Sequence, residues 1–415
     1  MLSCYRILDL TTDKAFICGR ALSDFGANVI KVEKPGGDPS RFVPPFYKDD
    51  PDPEKNLWWL SFNTNKKGIT LDIETPEGKE LFKKLVARAD AVLESFAPGY
   101  MASLGLGYKD LAAVNPGIVL TSMTGFGQEG PCRDYKDPDI VVRALGGLVH
   151  SVGYDDRPPL VSSFRHTHSL GAMNGATGTM IALMHRNLTG KGQHVDAPAQ
   201  QAIDVVCSAE IEGPYALFGK VVTRHGRARA EVTLADGSTY YNTLIWECRD
   251  GYIALNLLLN PSGARNNATM FSYIEQDGIP TGSFKDWDWS TKSWEDMTRE
   301  QADEMMVILG KFFMNHTKQE LLDMAVENRF QLGPCNNAGD ILKHPQLEAR
   351  GFWQEIEHPE LDASLKFPGG AVKTTQGYVG PKRRAPRIGE HNDEIFKELG
   401  LSGTEQEDLR KKKVI

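Results

Sequence analysis

Cysteine is scarce in this sequence and lacks the spacing of a metal or disulfide site. The six cysteines are scattered over 415 residues, and no two of them form a CxxC pair. They are Cys4, Cys18, Cys132, Cys207, Cys248 and Cys335. This absence argues against a zinc knuckle and against the disulfide framework of small secreted domains. We expect reduced thiols that are mostly buried.

The sequence also lacks long apolar runs and an excess of positive charge. No apolar run approaches the ~20 residues of a membrane span, and the first residues do not have the layout of a signal peptide. The net charge of −8 argues against nucleic acid and anionic membranes as partners. With 40% hydrophobic and 25% charged residues, the composition is that of a globular protein. A cytoplasmic protein with two or more domains is expected.

Strand and helix signals alternate along the first part of the chain. Short apolar runs predict strands at 5–11, 28–33, 68–73, 91–96 and 118–127. Helices are predicted between them, at 16–26, after Thr75–Pro76 and at 108–114. Strands alternating with helices of this length predict an α/β fold whose Rossmann-like sheet is mostly parallel.

The middle of the chain begins with a helix that is rich in small residues. It is predicted at 166–185, where Ala172, Gly175, Ala176 and Gly178 leave room for another backbone to approach closely. A second helix is predicted at about 198–217, and the basic, unpatterned segment 220–232 is interpreted as a linker.

A smaller domain is predicted after this linker. Residues 238–259 indicate an antiparallel strand pair that turns at Arg249–Asp250–Gly251. Helices are predicted at 299–315 and 318–328. The predicted domains are a large domain at 1–224, a small domain at 225–330, and a return to the large domain at 331–415.

Two glycine-rich segments could bind phosphate. Residues 31–41, KVEKPGGDPSR, follow a predicted strand, and Lys34 and Arg41 add positive charge to free backbone N–H groups. A surface turn is the alternative interpretation. Residues 125–130, GFGQEG, have GxGxxG spacing, but Pro131 follows and no helix begins there. A tight turn is therefore favoured over a dinucleotide loop.

Several blocks in order resemble the class III CoA-transferases, the CaiB/BaiF family. They are residues 31–41, NTNKKGITLD (63–72), ESFAPGYMASLGLGY (94–108), TGKGQHVD (189–196), 336–353 and 385–401. The resemblance implies a Rossmann-like parallel-sheet large domain, a smaller α+β domain, and a dimer of two chains interlocked like rings. It implies a coenzyme A thioester as substrate, with no tightly bound cofactor. The implied coenzyme A site candidates are Lys14, Lys34, Arg41 and Phe96.

The resemblance also places a histidine where the family has its nucleophile. In the family an Asp at the start of the small-residue helix attacks the acyl-CoA thioester, and its position falls on His168. The Asp passes through a mixed anhydride and an aspartyl-CoA thioester. An imidazole cannot form this pair of intermediates, although it could act as a general base on water. No catalytic residue is therefore expected in this chain.

Other positions depart from the family pattern near the nucleotide. An Asn is replaced by Ser95, an Arg by Ser103, and a Lys by Glu74. Phe16 stands in a loop that usually reads AGP, where it is expected to crowd the ligand. Because charged hydrogen bonds are lost and an anion is added, coenzyme A is not expected to bind in the usual pose.

Two further kinds of site are disfavoured. Acyl-CoA racemases of the family use a His–Asp pair whose His matches Pro138, so both members are missing here. His166 and His168 form an HxH pair, but no acid or cysteine is placed with them, and residues i and i+2 do not share a helix face. Neither racemisation nor metal binding is expected.

The resemblance therefore implies a non-catalytic subunit of a heteromeric CoA-transferase. Such an enzyme moves coenzyme A from an acyl-CoA, such as succinyl-CoA, to a carboxylic acid, and a homologous partner would supply the Asp. One alternative is a self-sufficient homodimeric enzyme, similar to a thioesterase, that uses His168. Another is a non-enzymatic acyl-CoA binder.

Overall fold

The computed structural model describes residues 1–209, 211–222, 224, 226, 228–260 and 262–415, with the backbone alone at 228–230. The chain forms two compact units. The first unit contains residues 1–149, 161–221 and 345–415, and the second contains 150–160 and 222–344. The domain boundaries predicted from the sequence, at 224 and 330, stay a prediction.

The first unit is built on a six-stranded parallel sheet. Its strands are β1 (Arg6–Asp9), β2 (Asn28–Glu33), β3 (Lys67–Thr70), β4 (Ala91–Glu94), β5 (Val119–Ser122) and β6 (His194–Asp196), in the order β3-β2-β1-β4-β5-β6. Every neighbouring pair is parallel. The predicted α/β fold with a Rossmann-like sheet is confirmed. The strand order reverses between β1 and β4, and ligands of such sheets bind beyond the carboxyl ends of the strands at that point.

The remaining strands form small antiparallel sheets. They are β7 (Ala228–Thr233), β8 (Thr239–Thr243), β9 (Ile245–Cys248), β10 (Gly251–Leu255), β11 (Leu332–Pro334), β12 (Trp353–His358) and β13 (Ala363–Pro368). Strand β7 pairs with β8, β10 pairs with both β9 and β11, and β12 pairs with β13.

Helices connect and cover these sheets. They are α1 (Phe16–Asp24), α2 (Leu57–Phe62), α3 (Pro76–Val86), α4 (Tyr100–Ser103), α5 (Tyr108–Val114), α6 (Asp139–Leu145), α7 (Thr167–Thr189), α8 (Ala199–Cys207), α9 (Glu212–Phe218), α10 (Ala264–Gln276), α11 (Arg299–Asn315), α12 (Lys318–Asn328), α13 (Ala338–Leu342), α14 (Pro345–Ala349), α15 (Asn392–Glu398) and α16 (Gly403–Lys411). Within the described ranges, no helix is long and apolar enough to cross a membrane.

Small residues on α7 bring it close to the sheet and to α8. A Cβ added at Gly171 would lie 2.9 Å from the Cα of Ala199, and one at Gly175 would lie 2.6 Å from the sulfur of Met123. One at Gly178 would lie 2.8 Å from the Val195 side chain. The predicted close approach along this helix is confirmed.

Two predictions about the middle of the chain need correction. The single helix predicted at 198–217 is two helices, α8 and α9, and Glu210 between them lies outside the described residues. The predicted linker at 220–232 ends in a strand, because residues 228–232 belong to β7 and pair with β8. Three residues of that segment, Thr223, His225 and Arg227, also lie outside the described part of the chain.

The second unit has an apolar core that is rich in aromatic side chains. Trp246, Phe271 and Phe313 are among its buried residues. The predicted hairpin is confirmed, since β9 and β10 pair antiparallel with Cys248 opposite Gly251. Helices α11 and α12 have their predicted bounds, and the side chains of Thr298 and Thr317 cap their first turns.

Candidate functional site

A cavity of about 450 Å³ lies beside the first turn of α7, within the first unit. Parts of the loop after β1, of α2, of α6 and of the segment that enters α7 form its walls. Its lining residues are Asp13, Lys14, Trp58, Asp137, Pro138, Asp139, Ile140, Arg143, Val161, Ser162, Ser163, Phe164, Arg165, His168 and Ser169. We call it the His168 cavity.

His168 is the second residue of α7 and is half-buried in this wall. Its Nε2 lies 2.8 Å from the carbonyl oxygen of Asp137, so the imidazole donates that hydrogen bond. A carbonyl accepts but cannot donate, and the neutral ring therefore carries its proton on Nε2 and its lone pair on Nδ1. The side chain is held in one orientation, but it offers no carboxylate.

Asp137 connects three parts of the site. Its carboxylate forms an ion pair with Lys14 and accepts a hydrogen bond of 3.0 Å from the backbone N–H of Gly125, while its carbonyl holds His168. Burial alone would raise the pKa of Asp137, but the Lys14 ammonium and the hydrogen bonds lower it below its ordinary value. This carboxylate is ionised and already has partners.

Asp139 and Arg143 fix the segment that enters α7. Asp139 accepts a hydrogen bond of 3.1 Å from the backbone N–H of Thr167, and it pairs with the buried guanidinium of Arg143. Arg143 also donates to the carbonyl and the hydroxyl of Ser162, at 3.1 and 2.9 Å. Sequence reasoning missed both α6 and Arg143, although the i, i+4 spacing of Asp139 and Arg143 was an available signal for a helix with an ion pair.

A second cavity of about 340 Å³ adjoins the first. Both cavities include Lys14, Asp137 and Pro138 in their linings, so the Lys14–Asp137 ion pair stands between them. Phe96 lines the second cavity and packs its ring against that of Tyr100, with centroids 4.7 Å apart. Two of the predicted coenzyme A candidates, Lys14 and Phe96, therefore lie at one cavity.

The other two candidates lie elsewhere. The guanidinium of Arg41 is fully buried, donates to Glu33 and Glu54, and lies 3.5 Å from the ring centre of Trp59. Lys34 is exposed and pairs with Glu74 at 2.8 Å. The assignment of both residues to coenzyme A stays a prediction, and Arg41 would have to leave several internal partners to meet a ligand.

The positions that depart from the family pattern are engaged within the chain. Ser95 accepts a hydrogen bond of 2.8 Å from the backbone N–H of Thr12, and the Ser103 hydroxyl donates to the carbonyl of Tyr100 at 2.7 Å. The expectation that Phe16 crowds the ligand loop stays a prediction. Its ring is buried in the core and meets Trp59 edge-on, with centroids 5.4 Å apart.

Comparison with known proteins identifies the class. The sequence model of CoA-transferase family III matches residues 2–392. The chain belongs to CoA-transferase family III, a family of enzymes, and the resemblance seen in the sequence is confirmed. A coenzyme A thioester as substrate is consistent with this membership. Among the described residues, no group of three or more His, Cys, Asp or Glu side chains could hold a metal ion.

Individual relatives match over nearly the whole chain. The chain is 31% identical over 413 residues to succinyl-CoA:(R)-benzylsuccinate CoA-transferase subunit BbsE of Thauera aromatica, covering 98% of this chain and 96% of the relative. It is 30% identical over 416 residues to the succinyl-CoA–L-malate CoA-transferase beta subunit of Chloroflexus aurantiacus, covering 99% and 97%. A crystal structure of a CaiB/BaiF family protein from Brucella suis has a TM-score of 0.79 at 27% identity, covering 95% and 98%.

Proposed function

We propose that this chain is the non-catalytic subunit of a heteromeric class III CoA-transferase. The complex moves coenzyme A from an acyl-CoA such as succinyl-CoA to a carboxylic acid, for which benzylsuccinate is a candidate. A homologous partner subunit supplies the nucleophilic Asp. The two chains form the interlocked dimer of the family and act in the cytoplasm.

The carrying observation is that the expected Asp position holds no carboxylate, and that the two carboxylates whose residues bond to the first turn of α7, Asp137 and Asp139, are already engaged within the described part of the chain. The residue at the expected Asp position is an imidazole whose Nε2–H is held by the Asp137 carbonyl. The Asp137 carboxylate is held by Lys14 and Gly125, and that of Asp139 by Arg143 and Thr167. An anhydride requires a carboxylate that can leave its partners and attack the thioester, and neither neighbour is available for this.

Exposed apolar side chains on α7, α8 and α9 support a partner subunit. They are Ile181, Met184, Leu188, Val205, Val206, Leu217 and Phe218, and each is more than 60% exposed. Apolar surface of this extent on one group of helices is typical of a protein interface. Two relatives, subunit BbsE and a beta subunit, are by name components of larger enzymes.

The test compares the chain alone with the chain co-expressed with an Asp-bearing homologue. Native mass spectrometry reports the complex, and exchange of labelled succinate into succinyl-CoA reports transfer. His168→Ala in this chain leaves the activity of the complex nearly intact, whereas replacing the partner's Asp abolishes it. A hundredfold loss with His168→Ala, equal to about 2.7 kcal/mol in the barrier, contradicts the proposal.

The exposed Asp13 provides a necessary control. It lines the His168 cavity and finds no ion-pair partner among the described residues. Asp13→Asn is therefore made beside His168→Ala. Unchanged transfer by the complex carrying either variant supports a non-catalytic subunit, and loss of transfer with Asp13→Asn identifies a nucleophile in this chain and overturns the proposal.

One observation favours a second candidate function. Because the Asp137 carbonyl fixes the imidazole proton on Nε2, the Nδ1 lone pair of neutral His168 could take a proton from water. The chain would then hydrolyse an acyl-CoA by itself. Release of free coenzyme A by the purified chain, abolished by His168→Ala, distinguishes this hydrolase from the non-catalytic subunit.

A further inference from the structure

A line of three polar side chains joins strands β4, β5 and β6. Glu94 ends β4, Ser122 ends β5 directly opposite it, and His194 begins β6. The Ser122 Oγ lies 2.9 Å from the Nε2 of His194, and the same hydroxyl forms a hydrogen bond with the Glu94 carboxyl group. Glu94 and Ser122 are buried, whereas His194 is exposed. The line therefore leads from the interior of the first unit to its surface.

The Ser122 hydroxyl has one proton and can donate it to only one of these two neighbours at a time. An ionised Glu94 has no proton to give, so Ser122 donates to this carboxylate and accepts from a proton on His194 Nε2. A protonated Glu94 can donate to Ser122, which then donates to Nε2, and the neutral ring carries its proton on Nδ1. The protonation state of the buried acid therefore selects the tautomer of the exposed imidazole.

The charged group that acts on both ends of this line is Asp196. Its negative charge favours the protonated form of Glu94 and of His194. Its carboxylate accepts a hydrogen bond of 2.7 Å from the backbone N–H of Gln128. From α5, the ring of Tyr108 stacks on the imidazole with centroids 6.0 Å apart. Neither of these contacts involves the hydroxyl at the middle of the line.

The two ends of the line titrate in different ranges. Burial raises the pKa of Glu94 to about 7, although hydrogen bonds from Ser122 and from the Phe96 backbone N–H oppose this rise. Burial lowers the pKa of His194 below its ordinary value of 6.5, although Asp196 opposes this fall. The imidazole is therefore mostly neutral while Glu94 gains or loses its proton. A change of tautomer can thus be distinguished from formation of the imidazolium.

Two other imidazoles show why the hydroxyl in the middle matters. The Nε2 of His168 bonds to a main-chain carbonyl, which never donates, so that ring has a single tautomer when neutral. The Nε2 of His316 bonds directly to the Asp277 carboxylate at 2.7 Å, with no group between them that could reverse its direction. At His194 a group that both donates and accepts, the Ser122 hydroxyl, stands between the acid and the ring. This placement carries the inference.

We propose that Glu94, Ser122 and His194 form a proton relay that switches the tautomer of His194 with pH. On acidification, a proton from water binds to Nδ1 of His194, the Nε2 proton passes to the Ser122 oxygen, and the Ser122 proton passes to Glu94. One solvent proton is taken up, and the reverse steps release it. His194 presents a donor at Nδ1 at low pH and an acceptor at higher pH. The relay does not depend on the proposed function, because neither coenzyme A nor a partner subunit takes part in it.

Nitrogen-15 NMR of the full chain, labelled at histidine, measures the tautomer. The His194 signals are assigned by their absence from the His194→Gln variant. In the wild-type chain, the ratio of the Nε2–H form to the Nδ1–H form falls at least threefold from pH 8.5 to pH 6.5, and the Glu94 carboxyl carbon changes with the same midpoint. Formation of the imidazolium would instead protonate both nitrogens. A constant ratio, or separate midpoints for the two residues, overturns the proposal.

Matched variants test whether the hydroxyl connects the two ends. Ser122→Ala removes the connection and Glu94→Gln removes the titrating acid, so in both variants the tautomer ratio of His194 no longer changes across this pH range. Thr121→Val removes the neighbouring hydroxyl of β5, which bonds to that of Thr179 at 2.7 Å and points to the opposite face of the sheet. In this control the change of tautomer persists. A pH-dependent ratio in Ser122→Ala, or its loss in Thr121→Val, overturns the relay.

Discussion

Two buried carboxylates at neighbouring strand ends have opposite electrostatic environments. Asp9 ends β1 and Glu94 ends β4, the strand paired with it, and both side chains are almost fully buried. Asp9 lies 2.8 Å from the ammonium of Lys66, with Lys31 close by. Burial would raise the pKa of Asp9, but the two lysines outweigh it and hold the pKa below its ordinary value.

Among the described residues, no cation offsets the burial of Glu94. Its carboxylate accepts hydrogen bonds from the Phe96 backbone N–H, at 2.7 Å, and from the Ser122 hydroxyl, while Asp196 adds a like charge. Burial raises the pKa of Glu94 to about 7. The loop after β1, which contributes Lys14 to both cavities, therefore follows a carboxylate that is held in an ionised pair. The loop after β4, which contributes Phe96, follows a carboxyl group whose pKa is near neutral pH.

The largest expected effect comes from removing the charge of Asp9. Asp9→Asn leaves the buried Lys66 and Lys31 without a counter-charge, and we expect the free energy of unfolding to fall by about 3–5 kcal/mol. Urea denaturation at pH 7 measures it. Adding Lys66→Met to Asp9→Asn should recover part of the loss. A change below about 1 kcal/mol would mean that the pair contributes no more than a surface ion pair.

Replacing Glu94 tests the other half of the comparison. The pKa of this carboxyl is about 7 in the folded chain, and its ordinary value is 4.5. Between pH 4.5 and pH 7 the folded state therefore binds more protons than the unfolded state. The stability that this group contributes is present at low pH and is lost as the pH rises through 7. Relative to Glu94→Gln, the wild-type chain should lose about 3 kcal/mol of unfolding free energy between pH 4 and pH 8.

Denaturation of both proteins across this pH range measures the difference. The subtraction removes the contributions of all other titrating groups, because they are common to both chains. Parallel pH profiles for the two proteins would show that Glu94 titrates at its ordinary pKa and that the contrast with Asp9 is wrong.

Local signals were sufficient for much of the fold. Thr298 and Thr317 stand before apolar helical patterns with Gln301 and Glu320 in the third position, and both capping boxes form. Helices α11 and α12 therefore have their predicted bounds, because a capping box depends on residues three positions apart. The start of α7 and the place of His168 followed from the family resemblance.

The composition of the site could not be predicted in the same way. Lys14 meets Asp137 across 123 positions of sequence, and no local pattern indicates that contact. Arg41 looked like a phosphate-binding cation because it lies in a glycine-rich loop. The chain instead turns it inward onto Glu33 and Trp59. A sequence shows which charges are present, but pairing distant charges requires the packed fold.

A smaller effect is expected at the pair that separates the two cavities. Lys14→Met removes the cation that lowers the pKa of Asp137, so this pKa should rise. The stability due to a lowered carboxyl pKa is present above its ordinary value of 3.8 and is lost as the pH falls below it. Because Lys14 is about one-third exposed, the cost at pH 7 should stay below about 1 kcal/mol. NMR titration of the Asp137 carboxyl carbon measures the pKa, and an unchanged value would show that the Lys14 ammonium does not lower it.

The smallest effect is expected at the solvent-exposed ion pair of Lys34 and Glu74. Lys34 and Glu74 follow β2 and β3, and their side chains are 54% and 45% exposed. A double-mutant cycle of Lys34→Met and Glu74→Gln, measured by urea denaturation, should give a coupling of no more than about 0.5 kcal/mol. A coupling as large as that between Asp9 and Lys66 would mean that burial does not decide what these carboxylates contribute. A weak coupling would mean that Lys34 can bind a phosphate once the charge of Glu74 is removed. We therefore expect the Glu74→Gln variant to bind coenzyme A more tightly than the wild-type chain.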